Sequence, residues 1–501
     1  MDAEFITLKP FTASDALVPC AIRLKAPSDV ARVATHFILL LDVSESMNDS
    51  NKLENVKKCS SLILNFLTPE DRVSLITFGE GATLHLKRVI ADEVHKSSMR
   101  SVIQALKTDG CTNLSAGLGY VREVCEGDTQ KAGLLILTDG HINRGVSDSP
   151  TLRNIITGLR STFSHLSVHC IAYGSDHNED LLRGVAEDTQ GSYNVVNTIE
   201  DTAFAFGETL GGLISCAFQN VRLDVPVGSV IHGPHKHTVS GERRTIQIGD
   251  VYAGTKPLLL VDIPGSAWSQ SPSVRIQGMT LPSLESWSMY PIHQELEGRA
   301  LDIELAQLRY ECSAILQALK TWHTLAAVQR SGMDARITEF KIRLSDTFFD
   351  GSPVATLLRD EVETLQGMLR QALSGHLTHE DSVMATQHIT SISMGRGFSS
   401  PMAPRRTSGL PPAVNRRQSR FAPPALGGPG SLAPSSLLGV SVESDPSPAL
   451  PEAGAGAGDE AEEISAPPAP PAPQRTPASA FQNDVQLRIA SLMQTASQQT
   501  E

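Results

Sequence analysis

Five side chains of the 501-residue sequence stand where their chemistry would combine: Asp42, Ser44 and Ser46 in "LLLDVSESM", Thr112 in "DGCTNLSAGL" and Asp139 in "LLILTDG". Two are carboxylates and three are hydroxyls, so the set offers hard oxygen and neither nitrogen nor sulfur. Such donors suit Mg2+ or Mn2+ in octahedral coordination and suit zinc poorly. With only two carboxylates beside it, a divalent ion keeps residual positive charge and attracts an acidic group from outside. Taken singly, Asp42 is a turn former at a strand end. Together, the five residues carry the metal reading.

These residues need a scaffold that ends several strands in one place. From Thr35 to about Ile214 apolar runs alternate with helical patterns. The pattern predicts strands over His36–Asp42, Arg72–Phe78, Thr83–Lys87, Gly133–Thr138, Val168–Tyr173 and Ser192–Val196, with helices over Leu53–Leu67 and Leu114–Cys125. The runs "FILLL", "LLIL" and "VHCIAY" are almost continuously apolar, which marks strands covered on both faces. Residues 35–215 are therefore expected to form a doubly wound, mostly parallel α/β domain. Ligands of such sheets bind outside the carboxyl ends of the strands, where Asp42 and Asp139 fall.

The flanking segments have a different texture. Residues 1–34 and 216–285 read as short alternating strands ("VRLDVPV", "RTIQI", "PLLLVDIP"), and neither piece makes a stable sheet alone. They are expected to pair into one β-sandwich into which the α/β domain is inserted, its two ends close together. Over residues 290–375, Leu301, Leu305, Leu308, Cys312, Ile315, Leu319, Trp322 and Ala326 form a seam of a and d positions. A second seam runs through Val354, Leu358, Val362, Leu365 and Leu369. A helical hairpin is predicted, with Gly332 and Gly351 in its loop; the rival is an intermolecular coiled coil, that is, self-association through these helices. Residues 395–477, rich in Pro, Gly, Ser and Ala, cannot bury enough apolar surface to offset their backbone entropy and are expected to be disordered. That stretch holds Ser408 and Ser419, candidate phosphoacceptors behind paired arginines, and the polyproline run Pro467–Pro473. Residues 478–501 place Phe481, Val485, Ile489, Leu492 and Met493 at helical spacing, in a helix too short to be stable unless docked.

Composition narrows the function classes. A net charge of −13 argues against a nucleic-acid surface over the whole chain. No window approaches the roughly 18 apolar residues that span a bilayer. Met1 to Asp15 lacks the basic start and apolar run of a secretory signal. The seven cysteines are scattered without a CxxC pair, which speaks for thiols in a reducing compartment and against a zinc ribbon or disulfide framework. An intracellular, cytoplasmic chain is expected, on which the sequons at Asn48 and Asn113 mean little. His232, His235 and His237 in "HGPHKH" read as a solvated hairpin loop before a ligand set. Asp176, His177, Glu179 and Asp180 read as a polar helix cap with first-turn acids.

With its DxSxS strand end, Thr loop and "TDG" strand end in this order, the segment from about Thr35 to Leu213 resembles the von Willebrand factor A family. The resemblance implies that Asp42, Ser44, Ser46, Thr112 and Asp139 form that family's metal-ion-dependent adhesion site. Cys111 departs from the pattern, since a small residue such as Gly or Ser usually precedes the Thr. The β-sandwich and C-terminal helices look like the associated domain of some relatives; others carry ubiquitin-ligase or intein-like domains, of which the sequence has no sign. The expected function is a metal-dependent adaptor or scaffold, not an enzyme, whose Mg2+ or Mn2+ takes an Asp or Glu carboxylate of a protein partner. Two competitors remain: a metal-assisted phosphohydrolase, disfavoured because no catalytic base, P-loop or GxSxG stands near the site, and an architectural or virion component holding a structural ion.

Overall fold

The computed structural model describes residues 1–378, apart from 13, 140–141, 175–176, 197, 234 and 271–273, together with 381, 385 and 484–498. Strands β1 (Asp2–Thr7) and β2 (Val18–Lys25) open the chain as an antiparallel pair. The chain then leaves them for a second sheet at β3 (Thr35–Asp42), every residue of which is buried. Successive side chains of a strand point to opposite faces. Phe37, Leu39 and Leu41 accordingly enter one apolar cluster and Ile38 and Leu40 another.

The elements that follow are α1 (Lys52–Ile63), β4 (Arg72–Phe78), β5 (Ala82–Ile90), α2 (Glu93–Gln104), α3 (Leu114–Cys125), β6 (Lys131–Thr138), α4 (Ser149–Thr162), β7 (Leu166–Tyr173), α5 (Glu179–Thr189), β8 (Tyr193–Val196) and α6 (Ile199–Ile214). The strand order is β5-β4-β3-β6-β7-β8, parallel throughout except at β4–β5. Helices α1, α2 and α6 cover one face and α3, α4 and α5 the other. This is the doubly wound α/β fold expected. The helix predicted over Leu53–Leu67 is shorter than that span: α1 stops at Ile63 and a 3-10 turn follows. Asn178 caps α5, its side chain accepting from the Leu181 N–H, and Glu179 and Asp180 fill the first turn where the helix dipole favours acids.

A buried polar pin closes the amino-terminal end of the sheet. His36 lies between Asp128 (Nδ1 to Oδ2, 2.6 Å) and Ser74 (Nε2 to Oγ, 2.8 Å). The arrangement has the connectivity of a catalytic triad, but all three side chains are buried and Ser74 Oγ also accepts from the Arg88 N–H. With no surface to offer a substrate, its role is to satisfy polar groups inside the layer.

After α6 the chain rejoins its opening strands. The elements β9 (Cys216–Pro226), β10 (Val230–Ile231), β11 (His237–Ser240), β12 (Arg243–Tyr252), β13 (Leu258–Ile263), β14 (Arg275–Thr280), β15 (Ser286–Met289) and β16 (Ile292–Glu295) build two five-stranded sheets, β10-β13-β2-β1-β16 and β11-β12-β9-β14-β15. Their facing side chains, Phe5, Val18, Ile22 and Leu24 from one and Val221, Leu223, Ile246 and Ile276 from the other, share one core. The strands run on to Glu295, past residue 285, because β16 adds beside β1 in parallel. The loop before β11 is more tied down than a solvated hairpin: His232 Nε2 lies 3.0 Å from Asp262, and His235 meets Tyr310.

The helical region is larger than a hairpin. Between α7 (Leu301–Lys320) and α10 (Pro353–Ser374) stand a short α8 (Ala327–Ser331) and α9 (Met333–Leu344). The span read as a loop is largely helical because Met333, Ile337, Phe340 and Leu344 make a third apolar stripe, buried with the two seams in one cluster. Seam residues Leu305 to Leu319 thus pack within the chain; Leu301 and Ala326, at the two ends of the seam, are exposed. The stretch 395–477, with Ser408, Ser419 and the polyproline run, lies outside the described residues.

The last helix, α11 (Asp484–Gln498), docks on α6. A Cβ on Gly207 would lie 2.7 Å from Cα of Ala490, and one on Gly211 would lie 2.6 Å from Cα of Gln486. Rising numbers on one helix face falling numbers on the other, so the two run antiparallel with backbones in contact. Ile489 and Met493 complete the apolar cluster beneath. Gly211→Val is expected to expel α11 at a cost of about 1–3 kcal/mol, the usual range for overpacking. Hydrogen exchange should show residues 484–498 losing protection while β3 and β6 keep theirs; unchanged protection of α11 would contradict this contact.

Candidate metal centre

Strands β3 and β6 are neighbours in register, Leu41 beside Leu137, so the residues that follow each must share one crevice. The helix after β3 goes to one face of the sheet and the helix after β6 to the other, which opens the sheet at that point. Asp42 ends β3 and Asp139 directly follows β6.

The carboxylate of Asp42 is buried at 0 % exposure. Its Oδ1 accepts from the Ser44 N–H at 2.8 Å, and its Oδ2 accepts from Thr138 Oγ1 at 2.5 Å. Among the described residues no basic side chain pairs with it. Burial, only partly offset by these bonds and aggravated by the nearby Asp139 charge, pushes its pKa up to about 6. Ser44 Oγ lies 3.2 Å from Ser46 Oγ, which donates to Asp139 Oδ1 at 2.8 Å. Asp139 Oδ2 accepts from Lys52 Nζ at 2.5 Å. Asp42, Ser44 and Asp139 are buried and Ser46 is exposed, so the cluster opens to solvent on the Ser46 side.

Thr112 reaches the cluster through its loop. The Glu45 N–H donates to the Gly110 carbonyl at 3.0 Å and the Asp109 N–H to the Val43 carbonyl at 2.5 Å, lacing the 109–112 loop to the DxSxS turn. The Thr112 N–H donates to Asn143 Oδ1 at 2.8 Å, and the Thr112 carbonyl accepts from the N–H of Asn143 and of Arg144. Asn113 caps α3 immediately after, its side chain accepting from the Ala116 N–H. The Glu80 carboxylate beside the Cys111 thiol pushes that thiol's pKa up.

The structure thus links Asp42, Ser44, Ser46 and Asp139 through direct hydrogen bonds and ties Thr112 to them through backbone. Sequence reasoning missed Thr138, Asn143 and Lys52. Thr138 was accessible from the pairing of β3 with β6, since it stands beside Asp42. Lys52 gave no signal, being ten residues from Asp42 and brought back only by the 3-10 turn Glu45–Asn51 and a left-handed Asn51 (φ 57°). Among the described residues no three His, Cys, Asp or Glu side chains gather as a metal site. The centre here is built chiefly of hydroxyls.

Residues 37–141 match the family described as the von Willebrand factor type A domain. The Escherichia coli (strain K12) protein YfbK is 21% identical over 243 residues, 46% of this chain and 42% of that protein. The E3 ubiquitin-protein ligase WAV3 of Arabidopsis thaliana is 26% identical over 284 residues, 51% of this chain and 34% of the ligase. The chain thus spans less than half the length of either relative. A solved structure of a von Willebrand factor type A protein from Catenulispora acidiphila covers 78% of this chain and 96% of its own, with a TM-score of 0.55 at 15% identity, a likeness of fold. Residues 37–141 thus carry the match to the von Willebrand factor type A domain, on a fold like that of the Catenulispora acidiphila protein.

Proposed function

We propose that the chain is a divalent-metal-dependent protein-interaction module, an adaptor or scaffold with no catalytic role of its own. Domains of this family commonly serve protein–protein interaction. The observation that carries the reading is Asp42: a buried carboxylate with no basic partner among the described residues, at the open junction of two strands, surrounded by hydroxyl oxygen. A buried charge is retained when something compensates it, and this donor set fits Mg2+ or Mn2+.

In this reading Asp42, Ser44, Ser46, Thr112 and Asp139 hold the ion directly or through water. When bound, the ion supplies a Lewis-acidic position that accepts a carboxylate oxygen. Thr138 and the Ser44 N–H orient Asp42, and Asn143 fixes the Thr112 loop, so the donors stand in place before the ion arrives. The exposed Ser46 edge is where an Asp or Glu of a protein partner approaches. Ligase activity is not carried over from WAV3, of whose length the match covers only 34%.

Two measurements test this. Magnesium should raise the melting temperature of the wild type and leave Asp42→Ala with Ser44→Ala unmoved; equal shifts in both would sink the metal reading. The second follows from the raised Asp42 pKa. The folded chain keeps this proton up to about pH 6 while the unfolded chain releases it near 3.8, so folding takes up a proton between those values. Through this group, metal-free stability falls as pH rises from about 4 to about 6 and stays lower above. In chelator at pH 7.5, Asp42→Asn is expected to melt above the wild type, and in millimolar magnesium below it. An unchanged order in both buffers would contradict the assignment.

A further inference from the structure

The described residues supply one cation to this cluster, and the chain provides it from an unexpected place. Lys52 is the first residue of α1, where a positive side chain opposes the helix dipole. Its ammonium nevertheless sits against Asp139 Oδ2, with the carboxylate fully buried and the lysine side chain 18% exposed. Asp139 Oδ1 is already taken by Ser46. Both oxygens of Asp139 are therefore engaged, one by a charge and one by a hydroxyl that the proposed function assigns to the ion.

We infer that Lys52 is a tethered counter-cation that competes with the divalent ion for Asp139, so that metal entry and the Lys52–Asp139 contact exclude one another. This rests on the metal reading above. Two positive groups held against one buried carboxylate, one at each oxygen, repel each other strongly. Entry of the ion must turn the ammonium out toward solvent, which its partly exposed four-carbon stem permits. The lysine thereby does two things. In the metal-free chain it neutralises a carboxylate that would otherwise be buried and unpaired. In the presence of metal it lowers the affinity, so that the site fills and empties over a range of free ion concentration instead of holding its ion permanently. The geometry separates this residue from Lys57, further along the same helix, whose ammonium pairs with Glu54.

The test is the affinity of the full chain for Mg2+ and for Mn2+, by calorimetry and by the spin resonance of free Mn2+, in wild type, Lys52→Met, Lys52→Arg and Lys57→Met. Lys52→Met is expected to bind either ion at least about tenfold tighter, as removal of one nearby positive charge implies. Its metal-free form should melt below the wild type, with a larger magnesium-induced shift. Lys52→Arg keeps the charge and should bind no tighter than wild type, and Lys57→Met should match wild type. Equal affinity of wild type and Lys52→Met would overturn the competition while leaving the metal centre standing, as would tightening by Lys57→Met to the same degree. Absence of binding in all four proteins would overturn both.

Discussion

A carboxylate taken out of water must be answered by opposite charge or by hydrogen bonds, and here two of them emerge from adjacent parallel strands into one crevice. The register of β3 with β6 fixes that geometry. Neither carboxylate can move away, because each follows a strand whose side chains are packed on both faces. Thr138, the Ser44 N–H, Ser46 and Lys52 are all responses to the same constraint. The cost is not fully met, as the raised pKa of Asp42 records. In the reading proposed above, a cation bound at the open end of the sheet is what would offset this remaining cost.

Much of this scaffold could be read from sequence because parallel strands buried on both faces leave a distinctive run of apolar residues. "FILLL" and "LLIL" are the two strands that deliver Asp42 and Asp139. The α/β fold followed from them. Other parts were hidden for physical reasons. The stripe of α9 is short and flanked by Gly332 and Gly351, so glycine suggested a loop where three packed helices required a third. Helix α6 is buried almost throughout because α11 packs on it, and its glycines look like breakers until their partner backbone is seen. At the site, residue types announced the oxygen donors, while Lys52 and Asn143 depend on how loops fold back, which local pattern does not encode.

The two ends of the α/β sheet use different means of fixing polar groups. Inside the α/β sheet the His36–Asp128–Ser74 pin is closed, every member satisfied by another and none reaching solvent. At the opposite end the DxSxS turn, the Thr112 loop and the strand end after β6 are laced by backbone hydrogen bonds, yet Ser46 is left exposed. The same kinds of side chain thus serve a structural role where the layers close and, in the function proposed, a binding role where the topology parts them.

The place of β1 and β2 sets an order on synthesis. Both lie in the interior of their sheet, between β13 and β16, yet they leave the ribosome long before either neighbour exists. The inserted domain, contiguous from Thr35 to Ile214, can collapse as soon as it is made. The opening hairpin meanwhile waits, its apolar face and both hydrogen-bonding edges bare, until Leu258–Ile263 emerges beside β2. At translation rates of about 5–20 residues per second that delay is on the order of ten to fifty seconds. During that interval the nascent chain carries unpaired strand edges beside an uncovered apolar face, the kind of surface on which wrong pairing starts.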